Sequence, residues 1–102
     1  MRHAAAVLLL LGLTGCAGKF AGPPPVTAAL AGPRGDVAQL ERGRKVFASR
    51  CIECHTLPNI SEHSAAAWPV ILDRMSKRAD LTPAERSALQ IYILAAHDFS
   101  HR

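Results

Sequence analysis

The chain is predicted to be all-α, a small bundle of about three helices, and three observations carry that expectation. After Asp36 the apolar residues recur at helical spacing. Thr82-Pro83-Ala84-Glu85 has the form of a helix start. Nothing on either side of Cys51 alternates apolar and polar residues as a half-buried strand does.

The first helix is expected from an Asp36 N-cap to about Ser49, with Val37, Leu40, Val46 and Phe47 on or near one apolar face. A second is expected from about Ser64 to Arg78. Within it Trp68, Leu72 and Met75 fall at i, i+4 and i+7 and so share a face. The third begins with Thr82 as cap, Pro83 at the first helical position and Glu85 closing a capping box. Leu89, Tyr92, Ile93 and Ala96 then repeat as an inward face.

The segment before these helices reads differently. Residues 1–15 carry Arg2 and His3 ahead of an apolar run from Ala4 to Leu11, the pattern of an export signal. That run is shorter than the roughly 20 residues a membrane span needs. It ends in Leu13-Thr14-Gly15-Cys16, which resembles the lipobox of bacterial lipoproteins. The resemblance implies cleavage before Cys16 and a lipid on its thiol, anchoring the chain to a bacterial membrane on the periplasmic or outer side. Ala17 is not the aspartate that would resemble an inner-membrane retention signal. Residues 16–35 are rich in alanine, glycine and proline, with Pro23-Pro24-Pro25 at their centre, and are expected to be a tether. The folded domain is then 36–102.

A domain of 67 residues has a marginal core, and natural domains of that size usually add a staple. Cys51-Ile52-Glu53-Cys54-His55 supplies one. Two thiols three positions apart and an adjacent imidazole form the attachment signature of a c-type haem: Cys51 and Cys54 add across the two vinyl groups and His55 lies beneath the iron. A zinc site would need a fourth ligand, and His63 would have to fold back to provide it. A thioredoxin-like site would need a βαβ setting. One covalently bound haem c is therefore the expected cofactor, and export agrees with it, since this attachment occurs outside the cytoplasm. The haem-free chain is expected to be largely unfolded.

Gly43-x-x-x-Phe47, the motif at 51–55 and the closing Ile91-Tyr92-Ile93-Leu94 together resemble the small monohaem class I cytochromes c, over roughly Asp36 to His97. The resemblance implies that the first and last helices cross closely, with Gly43 meeting Tyr92. It also implies a methionine as distal iron ligand. Met75 is the only methionine once Met1 is removed, in a Trp68-to-Met75 stretch followed by Asp80-Leu81-Thr82-Pro83, similar to short cytochrome domains. His63, His97 and His101 are the alternatives. Only twenty positions separate His55 from Met75, so little chain is left to shield the distal side.

Supporting roles are expected for Pro58, whose loop is placed to offer a carbonyl to His55, and for Trp68, as a core residue or a propionate donor. Arg74, with Arg42, Arg44 and Arg50, is a candidate propionate partner. Without Arg2 the chain has 11 Lys and Arg against 8 acids, enough to steer docking to an acidic redox partner. An export signal and no interleaved aromatic platform argue against nucleic acid. The expected function is a membrane-tethered electron carrier without catalytic residues. A haem sensor or peroxidase-like protein with an open distal site is the alternative, as is a small electron-transfer subunit of a periplasmic dehydrogenase.

Overall fold

The computed structural model describes residues 22–33, 35–51 and 57–102, and all its regular structure is helical. Four α-helices follow in order: α1 (Ala28–Ala31), α2 (Val37–Arg50), α3 (Trp68–Arg78) and α4 (Pro83–Ser100), with a 3-10 turn at Ile60–Glu62. The all-α expectation holds.

Local chemistry explains the helix ends. Asp36 Oδ1 accepts from the backbone N–H groups of Ala38 (3.0 Å) and Gln39 (3.3 Å), satisfying two orphan donors at the start of α2. At α4 the capping box is complete: Thr82 Oγ1 accepts from the Glu85 N–H at 3.1 Å and Glu85 Oε1 accepts from the Thr82 N–H at 3.2 Å. Helix α3 starts four residues later than the expected Ser64. Pro69 is the reason, because a helix begun at Ser64 would place a residue without an N–H in its interior, whereas a start at Trp68 puts that residue in the first turn. Ser64 to Ala67 form a turn instead, with the Ala67 N–H donating to both the carbonyl and the hydroxyl of Ser64.

The largest interface joins α2 to α4. Leu40 of α2 lines the same cavity as Ile91 and Leu94, Gly43 lies against Ala88 and Tyr92, and Arg50 reaches Glu85, so the two helices run in opposite senses. At the crossing there is no space for a side chain. A Cβ on Gly43 would stand 2.1 Å from the Ala88 carbonyl oxygen and 2.6 Å from Tyr92 Cβ. Around this point Leu40 and Phe47 of α2 pack with Leu89, Tyr92, Ile93 and Ala96 of α4, and Trp68, Leu72 and Ile60 complete the core. Phe47 and Tyr92 meet as a tilted ring pair with centroids 6.1 Å apart. Val46 is half-buried against the core. Val37 corrects the expected face: in the first turn of α2 it is 51% exposed.

The expected tether is also corrected where it is described. Residues 22–33 pack on the helical domain, with Leu30 of α1 only 1% exposed in the common core. Arg44 donates to the carbonyls of Pro24 (3.1 Å) and Pro23 (3.3 Å), and the Tyr92 hydroxyl donates to Pro24 at 2.6 Å. Arg102 donates to the Ala29 carbonyl at 3.1 Å. Prolines suit this docking because they offer a carbonyl and have no N–H to leave unsatisfied. Burial is the main reason the Tyr92 hydroxyl is pushed up to about 12.

The crossing yields a direct test. Gly43→Ala should destabilise the protein by about 2 kcal/mol, although alanine is the better helix former by about 1 kcal/mol, because the added methyl meets backbone that cannot yield. Denaturant unfolding of the two proteins measures the difference.

Candidate haem site

Cys51 is the C-cap of α2, continuing its backbone conformation at φ −72° and ψ −28°. It is 4% exposed and belongs to the core cluster. Cys54 and His55, and the lipobox Cys16, lie outside the described residues. The chain is described again at Leu57, which packs against the core, and Pro58, which is half-buried. Ile60, 6% exposed, anchors the return.

Three helix ends converge beside Cys51. Arg50 donates to the Ala79 carbonyl just beyond α3 and, at 3.4 Å, to Glu85 Oε2 in the first turn of α4. One guanidinium thus ties the end of α2 to the α3–α4 corner. The corner is closed by Asp80, at φ +53°, a left-handed position that Asp tolerates better than most residues. There the Ala79 N–H donates to the Met75 carbonyl at 2.9 Å and the Leu81 N–H to the Ser76 carbonyl at 3.0 Å.

Met75 therefore sits one turn from the corner that Arg50 ties to the end of α2. It is half-buried, packed against the core with Ile71 and Leu81. The buried stripe of α3 is Trp68, Leu72 and Ser76, and Met75 lies at its edge. Ser76 is 8% exposed and among the described residues its hydroxyl has no hydrogen-bond partner, an arrangement that ordinarily costs free energy. Cys51 and Met75 fit a haem c: a buried cysteine delivered at a helix end and a thioether at the margin of the core.

The structure separates the other candidates. Trp68 is fully buried and its indole N–H donates to the Ile60 carbonyl at 3.1 Å, which spends the donor a propionate would need. Its ring remains for packing. The His63 ring stands edge-on to Trp68 at 5.3 Å. His97 and His101 stack on each other at 4.2 Å near the far end of α4. Twelve residues separate Glu85 from His97, about 18 Å along the helix, which places both histidines well away from the Cys51 corner. Arg44 and Arg50 are committed to backbone carbonyls, and Arg42 donates to Gln39 at 3.2 Å. Arg74 is exposed and has no hydrogen bond or ion pair among the described residues.

Two features escaped the sequence reading. Arg50 had a weak signal, a basic residue at a helix end with a capping-box glutamate whose second oxygen was unassigned. The orphaned Ser76 hydroxyl had none. Among the described residues no helix is long and apolar enough to cross a membrane. The chain matches none of the family models, characterised proteins or solved structures with which it was compared.

Glu85 lies below its ordinary value of 4.5, first because the Thr82 backbone N–H and hydroxyl stabilise its charged form and then through Arg50. A depressed carboxylate stabilises the fold fully above its unfolded value and loses that contribution as pH falls through the folded one. Thermal unfolding followed below about pH 5 should therefore fall less steeply in Glu85→Gln than in the wild type.

Proposed function

We propose that the protein is a membrane-tethered monohaem c-type cytochrome that passes single electrons between periplasmic or membrane redox partners. The observation that carries this reading is the Cys51-x-x-Cys54-His55 motif opening at the buried end of α2, where Arg50 fastens the helix that bears Met75. Cys51 and Cys54 would hold the porphyrin as thioethers, and His55 and Met75 would hold its iron. When bound, the haem supplies an Fe(III)/Fe(II) couple, and a thioether opposite imidazole favours the higher potentials of carriers.

The chain's own residues would do the rest. Pro58, three positions after His55, would help orient that ring through backbone in its loop. Trp68 and Leu72 would close the apolar wall beside Met75. Lys45, Arg74, Lys77 and Arg78 are exposed and would steer an acidic partner. Arg44, by contrast, is taken up by the proline carbonyls. The lipid on Cys16 would keep the carrier at a bacterial membrane, facing the periplasm or cell exterior.

A weakly capped haem that binds a diatomic gas or peroxide would also leave Met75 half-buried, so the distal ligand decides between the two. In the carrier reading the purified holoprotein is low-spin in both oxidation states and its reduced spectrum is unmoved by carbon monoxide. Met75→Ala then loses the far-red band of methionine-ligated ferric haem and admits carbon monoxide. Ready binding of carbon monoxide by the reduced wild type would overturn the carrier reading.

A further inference from the structure

The docked segment before α2 changes what the anchor can do. Nineteen residues separate Cys16 from Asp36, and a free link of that length would reach about 65 Å when extended. The segment from Pro23 to Gly32 is not free: Arg44 and Tyr92 hold the Pro23 and Pro24 carbonyls, Leu30 is sunk in the core and Arg102 holds Ala29. The link to Cys16 ends at Gly22. Six peptide steps remain, and whatever conformation they take they span at most about 20 Å.

We infer that this strap holds the domain at the lipid surface, with the α2–α4 flank carrying Arg44 and Tyr92 toward the bilayer. The partner of that flank is the membrane itself. The inference rests on the lipidation of Cys16 proposed above. It narrows the electron partners to proteins in or on the same membrane, or soluble carriers that come to it, because the domain cannot swing tens of ångströms outward. The strap holds at two independent places, the proline carbonyls and the Leu30 pocket. Fraying at one end therefore does not release the other.

The test uses the full lipidated holoprotein on phosphatidylcholine–phosphatidylglycerol vesicles carrying a fluorescent headgroup label, which haem quenches steeply with distance. A variant with about fifteen Gly and Ser residues inserted between Ala21 and Gly22 keeps the strap docked and lengthens only the link. Leu30→Asp releases α1, and Arg44→Gln with Tyr92→Phe removes the hydrogen bonds at the proline end while keeping the aromatic ring in the core. The wild type should quench several-fold more than the insertion variant; Arg44→Gln with Tyr92→Phe, which frees the link as far as α1, should fall between them, Leu30→Asp, which leaves the proline end docked, should quench like the wild type, and each release variant should gain protease cleavage within 22–33. Equal quenching by wild type and insertion variant, with both floating on the vesicles, would overturn the strap inference alone. Failure of the wild type to float, or flotation of Cys16→Ser as well, would overturn the anchor and the strap with it.

Discussion

The close approach of α2 to α4 at Gly43 is the constraint on which the remaining architecture depends. With backbone almost touching backbone, the two longest helices lock in one register. That register faces Phe47 toward Tyr92 and Arg50 toward Glu85. It also decides where α2 ends, and so where Cys51 is delivered. A larger residue at position 43 would part the helices, and the displacement would be passed along α2 toward Cys51, because packed interiors do not absorb volume locally. The glycine lowers helix propensity by about 1 kcal/mol and in exchange removes the obstacle to the deepest packing in the molecule.

From that crossing the site is assembled by polar contacts in a small space. Arg50 serves two helices at once, accepted by a carbonyl past α3 and by a carboxylate that also completes the cap of α4. As a surface ion pair the Arg50–Glu85 contact adds little; its value is geometric, since it joins the start of α4 to the end of α2 beside Cys51, while the bond to the Ala79 carbonyl ties in the end of α3. The strap extends the same economy. Tyr92 buries its ring in the crossing and uses its hydroxyl to hold Pro24, so one side chain connects the core to the chain leading from the proposed anchor.

How much of this was legible follows from which interactions are local. The caps at Asp36 and Thr82 and the inward face of α4 leave marks at fixed spacing and stand where they were expected, and Gly43 meets Tyr92 as the family resemblance implied. The start of α3 was misplaced because the periodic pattern runs through Ser64 to Ala67, while Pro69 decides the boundary by lacking a donor. Residues 22–33 were misread for a different reason. Their composition has almost no apolar periodicity, and their docking depends on carbonyls that accept from Arg44 and Tyr92, partners twenty and sixty-eight positions away. Such pairings leave no local trace. The haem motif is the reverse case, chemistry written in five consecutive residues, with Cys51 alone among them placed by the described structure.

The central claim is that Cys51 and Cys54 carry a porphyrin through covalent bonds, and pyridine haemochrome analysis of the purified, denatured protein tests it most directly. The account predicts haem that stays with the polypeptide through denaturation and acid extraction, with the spectrum of a porphyrin whose two vinyl groups are saturated. That signal should disappear when both cysteines are replaced by serine. Haem that extracts freely, or a chain that holds zinc at these thiols and no iron, would contradict it.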